Sequence, residues 1–286
     1  MPRPATLTTT LACLTLLALG TGNARAEDGP AANDNLNAVL WTQRSVEFKG
    51  NALGAFALAR IRLDEALADL TRTAAPAEQS GDFKDLPPAV ICDVDETLLD
   101  TSLYQAWTVT QSKSFAPDTW TQFVKAKVSR PIPGAVEFAT YADQRGVKVF
   151  YVTNRTAEEE EATRENMAEL GFPMGGNVDT LLTAKEKPDW GSAKGTRRTV
   201  VAKDYRVLLL IGDNLGDFSD AYKGDEAARL KVYEDNSPRW GNDWIVIANP
   251  TYGSFESAPF NHDYKQPAEA QRAAKLKALD SWQGGQ

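Results

Sequence analysis

An α/β fold built on a parallel sheet is what this sequence predicts, and three observations predict it. Short apolar runs that suit buried strands recur at 89–92, 147–152, 207–211 and 244–248. Segments of helical periodicity separate them, the alternation expected when parallel strands are joined by crossover helices. The composition is globular: 286 residues, 42% hydrophobic and 24% charged, with no internal repeat and no low-complexity stretch. Disorder, collagen and coiled coil are argued against, and the length suits one large domain or two modest ones.

The first element is an address. Residues 1–26 place Arg3 ahead of a short apolar run at 11–19 and end on Ala24-Arg25-Ala26, the pattern of a cleaved secretory signal. The run is too short to span a bilayer. Leu11-Ala12-Cys13 looks like part of a lipid-attachment box, but the apolar stretch follows Cys13 instead of preceding it. A periplasmic or secreted protein is therefore the expectation, and an outer-membrane lipoprotein the alternative. Cleavage after Ala26 removes two arginines and no acids, taking the net charge from −8 to −10. Cys92 is then the sole cysteine, so an intrachain disulfide is ruled out.

Residues 27–88 read as an N-terminal helical region and linker. From 38 to 70 the pattern is helical, with Leu53, Phe56, Leu63, Leu67 and Leu70 at three- and four-residue steps or their sums, and Gly50 and Gly54 as points of interruption. The stretch 73–88 is a Pro/Gly/Ser-containing linker into the first strand. A helical stretch from Pro133 closes at Gly146, ahead of the second strand. An acidic helix over 156–170 opens on four glutamates and ends at Gly171. Consecutive carboxylates point around a helix and do not converge, so these read as a solvated first turn favoured by the helix dipole. The third and fourth strands follow at 207–211 and 244–248.

Charge and residue counts narrow the chemistry. No Lys/Arg-dense block stands out, which argues against nucleic acid as a partner. One histidine, His262, and two cysteines exclude a His/Cys zinc site, a histidine-nucleophile phosphatase and a triad with histidines to spare. Carboxylates and hydroxyls must carry most of any reaction.

Those groups stand at strand ends. Three apolar runs pass directly into Asp93-Val94-Asp95-Glu96-Thr97, Thr153-Asn154-Arg155 and Gly212-Asp213-Asn214. In open parallel sheets ligands bind beyond the carboxyl ends of the strands, so the three groups should converge. Asp93 and Asp95 share a face on a continued strand, and a turn there can aim both at one substrate. Asp213 and Asp217 are four apart at the start of a helix, hence on one side of it. Convergent carboxylates repel unless a cation neutralises them, and oxygen-only ligands suit Mg²⁺. At a single strand end, Asp and Asn read first as strand terminators and helix caps; three such ends together favour function.

The stretch VICDVDETLLDTS at 90–102, with VTNR at 152–155 and GDNLGDF at 212–218, resembles the haloacid dehalogenase superfamily. More narrowly it resembles the class C nonspecific acid phosphatases, the bacterial outer-membrane lipoprotein 5′-nucleotidase family with four signature aspartates. PIPGAVEF at 131–138, VFYVTNR at 149–155 and ANPTYGSFE at 248–256 support it, and the likeness runs from about residue 38 to Trp282. The resemblance implies a Rossmannoid parallel sheet with a smaller helical cap subdomain. The phosphatase core would be 89–260, the insertion 101–130 would form part of the cap, and helices from both termini, including a tail at 261–286, would complete it. The lipid box is not placed as in that family. The phosphate-site lysine, usually in an Asp-Lys-Ser setting, stands here in Ala193-Lys194-Gly195.

The resemblance also implies roles. Asp93 would attack phosphorus and form an aspartyl-phosphate. Asp95 would protonate the leaving alcohol, then take a proton from the attacking water. Mg²⁺ would be held by the Asp93 carboxylate, the Asp95 backbone carbonyl and Asp213, with Asp217 supporting from behind or through water. Thr153 and Asn154 would bind the phosphoryl oxygens, and Lys194 would neutralise charge between nucleophile and phosphate. Lys185, Lys187 and Lys203 rival Lys194, which is preferred because Arg197-Arg198 follows it. Trp120 and Tyr252 match positions bordering the leaving group, where they would stack a nucleobase; ordinary core aromatics are the alternative. Cys92 should face away from Asp93 as a packed small residue, and His262 reads as structural or exposed.

A Mg²⁺-dependent acid phosphatase acting on small phosphate monoesters, 5′-nucleotides among them, is thus the leading expectation. A non-catalytic binding or storage protein on the same fold, or a phosphatase dedicated to one metabolite, is the alternative. The resembled family commonly forms dimers, about which the residues themselves say nothing.

Overall fold

The computed structural model describes residues 34–282, with Met1 and Gly284. The expected signal segment, with Cys13 and its lipid box, lies outside the described residues.

The chain opens on α1 (Leu36–Arg44) and α2 (Val46–Ala68). They part at Ser45, whose extended backbone and hydroxyl, accepting from the Phe48 N–H at 3.0 Å, start α2 afresh. Gly50 and Gly54, the expected interruptions, lie inside α2. Nothing stands within 4 Å of where their Cβ atoms would be, so they face open space. The packed face of α2 overrides their weak helix propensity. Of the expected stripe, Phe56 and Leu63 are buried, whereas Leu53 and Leu70 are exposed.

Among the described residues seven strands follow: β1 (Pro88–Cys92), β2 (Leu99–Asp100), β3 (Arg130–Pro131), β4 (Lys148–Thr156), β5 (Leu181–Ala184), β6 (Arg206–Gly212) and β7 (Trp244–Val246). Five form a parallel sheet in the order β5-β4-β1-β6-β7. The chain winds from β1 toward β5 on one side and later returns through β6 to β7 on the other. The strand order therefore reverses at β1, where such sheets open a crevice. Register sets Cys92 between Tyr151 of β4 and Ile211 of β6. The residues beyond these three strands consequently emerge at one edge. Strand β5 escapes the sequence reading, because four residues carry too little pattern to separate a strand from a loop.

The remaining helices are α3 (Ser102–Thr110), α4 (Pro117–Lys125), α5 (Ala135–Gln144), α6 (Glu160–Glu169), α7 (Gly195–Asp204), α8 (Leu215–Phe218), α9 (Glu226–Asp235), α10 (Ser254–Ser257) and α11 (Ala268–Lys277). Alternate strand residues divide the core into two layers. Val90, Cys92, Val149 and Ile211 pack against Phe56 and Leu63 of α2 and Phe138 of α5. Ala89, Ile91, Val207 and Leu210 pack against Val201 and Ala202 of α7, with Trp190, Phe218 and Trp244. Helix α2 is thus a layer of the sheet sandwich and not a cap helix. Its buried side chains (Phe48, Ala52, Phe56, Ala59, Leu63) are apolar enough to demand a sheet beneath them.

The insertion hangs from a two-residue antiparallel stem in which Leu99 pairs with Pro131 and Asp100 with Arg130. Its helices α3 and α4 close around Tyr104, whose ring lies 5.2 Å from Trp120 and 5.6 Å from Phe123. Helix α1 packs on α3, and α11 packs on the turn at 258–260. No helix among the described residues is long and apolar enough to cross a membrane.

Candidate active site

Asp93 follows β1 directly, its N–H held by the Ile211 carbonyl at 2.9 Å. Asp213 follows β6. Asp217 lies in α8, where its Oδ2 accepts from the Asn214 N–H at 2.9 Å in a capping box. Each of the three offers a carboxylate oxygen within 4.8 Å of the others. Gly212 makes this approach feasible, since a Cβ there would come within 2.3 Å of Asp217 Oδ2. Thr97 stands between two of the carboxylates, its hydroxyl 3.2 Å from Asp93 Oδ2 and 3.1 Å from Asp213 Oδ1.

Charge is concentrated here on buried side chains, Asp93, Asp217 and Lys194 among them. Burial, with Asp217 and Asp93 alongside, pushes the Asp213 carboxyl well above the usual carboxylate range. Burial also raises Asp217 to about 6, against the pull of the Lys194 ammonium. That ammonium, at the N-terminus of α7, donates to the Asp93 carboxylate and to Asp217 Oδ1 at 2.7 Å. Burial works against its charge, but Asp217 and Asp93 outweigh burial and raise its pKa. The glycine after Lys194 has a local reason. The Gly195 N–H donates to Asp220 Oδ1 at 2.9 Å, and a Cβ on Gly195 would fall 2.2 Å from Asp220 Oδ2. An oxygen-only cluster of this kind could hold a divalent cation.

A family model for the haloacid dehalogenase (HAD) superfamily, subfamily IIIB (acid phosphatase), matches residues 17–255. The chain belongs to this acid phosphatase family. It is similar to the class C acid phosphatase from Bacillus anthracis, with 27% identity over 87% of this chain and 97% of that one at a TM-score of 0.76. A second structure of the class C acid phosphatase from Bacillus anthracis, with tungstate bound, matches at 27% identity and a TM-score of 0.78. It covers 89% of this chain and 100% of that chain. The protein is accordingly a phosphomonoesterase on a HAD-type fold, and its substrates are small phosphate esters.

The rest of the acid phosphatase site separates the expected residues into groups. Asp95 leaves the three-carboxylate cluster and turns to Arg155. Its Oδ1 accepts from Nη2 at 2.7 Å and Nε at 3.0 Å, and its Oδ2 from Nε at 3.2 Å. Burial raises the Asp95 pKa, and Arg155 offsets part of that. Thr153 is fully buried, and its Oγ1 accepts from the Arg155 N–H at 3.1 Å. Asn154 accepts from Arg197 at 2.8 Å and donates to the Ser192 carbonyl at 3.1 Å. Burial lowers the Arg197 pKa to about 10. Arg198 spans Glu78 at 2.7 Å and the Asp217 carbonyl at 3.2 Å, behind Lys194.

Trp120 is half-buried, with the Arg155 guanidinium carbon 5.7 Å from its ring centre. The half-buried Tyr252 donates its hydroxyl to Glu96. Cys92 faces the α2 layer, away from Asp93, and burial pushes its thiol up. His262 is structural: its ring nitrogens bond the Ser257 hydroxyl at 2.6 Å and the Gly224 carbonyl at 3.1 Å. Lys187 lies over the Trp190 ring instead of entering the cluster.

Four residues at or near the site escape the sequence reading. Arg155 holds Asp95. Glu96, in the left-handed region at φ 58°, accepts from Tyr252 and from the Thr101 N–H at 2.9 Å. Burial, then Asp95, pushes its carboxyl up to about 8. Asn249 donates to Asp213 Oδ2 at 2.8 Å and to the Tyr252 carbonyl at 3.0 Å. Glu159, read as part of a solvated turn, is buried and accepts from Thr121 at 2.6 Å and the Thr156 N–H at 2.7 Å. The first three lie inside quoted motifs, which was the available signal.

Proposed function

We propose that this acid phosphatase hydrolyses phosphate monoesters, 5′-nucleotides among them, with Mg²⁺ and through an aspartyl-phosphate on Asp93. The observation that carries the reading is the Lys194 ammonium bonded to the carboxylate that would attack phosphorus. A dianionic ester cannot approach a carboxylate nucleophile unless cations offset the repulsion. Three aspartate oxygens within 4.8 Å of one another fit Mg²⁺, a hard cation that prefers oxygen ligands. Asp93, the Asp95 carbonyl and Asp213 would hold it, with Asp217 in support. When bound, it would supply positive charge beside the phosphoryl group.

The protein's own groups do the rest. Asp93 attacks as the ester oxygen leaves, and Asp95 gives that oxygen a proton. Water then displaces Asp93 from phosphorus, giving its proton to Asp95. The Thr153 hydroxyl accepts from Arg155 and keeps its own proton for a phosphoryl oxygen, as the Asn154 amide keeps its second. Trp120 and Tyr252 flank the leaving group from the insertion 101–130 and the 248–256 loop. Export after cleavage at Ala26 completes the reading. A panel of phosphate esters assayed with Mg²⁺ and with chelator tests it. Activity on 5′-nucleotides that disappears with chelator and returns with Mg²⁺ is expected; metal-independent turnover overturns it.

A further inference from the structure

The Asp95 side chain does not lie free at the site. Arg155 puts both of its Asp95-facing nitrogens on Oδ1, at 2.7 and 3.0 Å, and only Nε reaches Oδ2, at 3.2 Å. One oxygen is gripped and the other is the less engaged. The guanidinium is itself fixed. It is 1% exposed, its Nη1 donates to Thr163 Oγ1 at 3.0 Å, and that hydroxyl donates to the Glu159 carbonyl at 2.8 Å. Its Nη2 also reaches Ser129 Oγ at 3.5 Å, at the end of the insertion, and its carbon lies over the Trp120 ring. Arg155 therefore ties the turn after β1 to α6, to Trp120 of α4 and to Ser129 beyond it.

We propose that Arg155 is a positioning residue for proton transfer, holding Asp95 by Oδ1 so that Oδ2 faces the leaving group. This rests on the reading of Asp95 as proton donor. As the bond from phosphorus to the ester oxygen breaks and the bond to Asp93 forms, the proton on Asp95 Oδ2 passes to the departing oxygen. In the second half, water bonds to phosphorus, the Asp93–phosphorus bond breaks, and the water proton returns to Oδ2. Arg155 exchanges no proton itself and acts only through Asp95, its longer contact being the one to Oδ2. Its planar fork sets an orientation that a lysine's point charge does not. Because Trp120 lies on the same guanidinium, the insertion that would border the leaving group is mechanically joined to the group that protonates it.

The test uses full-length enzyme with saturating Mg²⁺ and two substrates, an activated aryl phosphate and glycerol phosphate. The aryl group leaves unaided, whereas the alkoxide needs a proton. Arg155→Gln should lower kcat on glycerol phosphate on the order of 100-fold, as a misplaced reacting group does. It should largely spare the aryl phosphate, KM and the Mg²⁺ dependence. The double variant Asp95→Asn/Arg155→Gln should be no worse than Asp95→Asn alone, since the two act as a unit. Arg155→Gln leaves a buried carboxylate unpaired and can fail to fold. Thr163→Val removes one anchor while leaving the ion pair, and should show the same ester-selective loss at smaller size. Equal losses on both esters in Thr163→Val, or losses that multiply in the double variant, overturn the proposal. If Asp95→Asn itself loses both esters equally, the proton-donor reading falls and this inference with it. An ester-selective Asp95→Asn beside an unselective Thr163→Val overturns the positioning role alone.

Discussion

The Lys194 ammonium bonds the Asp93 carboxylate and, 2.7 Å away, Asp217 Oδ1, so one cation bridges the end of β1 and the start of α8. Every phosphate ester would meet that group regardless of what it carries. Lys194→Ala should therefore depress nucleotide and glycerol phosphate hydrolysis together, by about 100- to 1,000-fold, the usual cost of removing one preorganised charge donor. Steady-state kinetics on the two substrates check this, and a loss confined to one contradicts it.

The crowding of carboxylates has a thermodynamic consequence in chelator. Asp217 sits at about 6 and Glu96 at about 8, each raised first by burial. A carboxyl raised in the folded state binds more protons folded than unfolded, so its stabilisation is greatest in acid and is lost as pH rises through the folded value. The metal-free protein should thus melt higher at about pH 5 than at about pH 7. Asp217→Asn should flatten that slope. A metal-free Tm that climbs from acid to neutral contradicts the assignment.

The strand ends were legible in the sequence because each apolar run stops at a polar residue, and that pattern needs no tertiary information. In the structure the carboxylates of Asp93, Asp213 and Asp217 come together, and the Lys194 ammonium bonds Asp93 and Asp217. What escaped was set by partners distant in the chain. Arg155 meets Asp95 across 60 positions, and Asn249 meets Asp213 across 36. Neither spacing leaves a local pattern. Helix α2 misleads for a related reason. Its glycines weaken it only on paper, because the sheet beneath Phe56 and Leu63 supplies the stability.

Trp120 tests the leaving-group reading. Stacking a base on an aromatic face is worth on the order of 1–3 kcal/mol, so Trp120→Ala should cost nucleotides about tenfold to a hundredfold in kcat/KM. Glycerol phosphate, with no ring, should be largely spared. Equal losses on both would return Trp120 to the cluster around Tyr104 and remove the nucleotide preference, leaving the phosphatase assignment intact.

Export is checked by the intact mass of protein purified from its natural host. A mature chain beginning at Glu27 is expected. A mass that includes a diacylglyceryl-modified Cys13 would establish a lipoprotein instead.

The central claim is that the phosphoryl group passes through Asp93. Enzyme quenched in acid during turnover of a labelled phosphate ester, then digested and mapped by mass spectrometry, tests it most directly. The account predicts a phosphoryl group on the peptide carrying Asp93, absent from Asp93→Asn, a variant that folds but does not turn over. Wild-type-like turnover by Asp93→Asn, or label on a different residue, would contradict it.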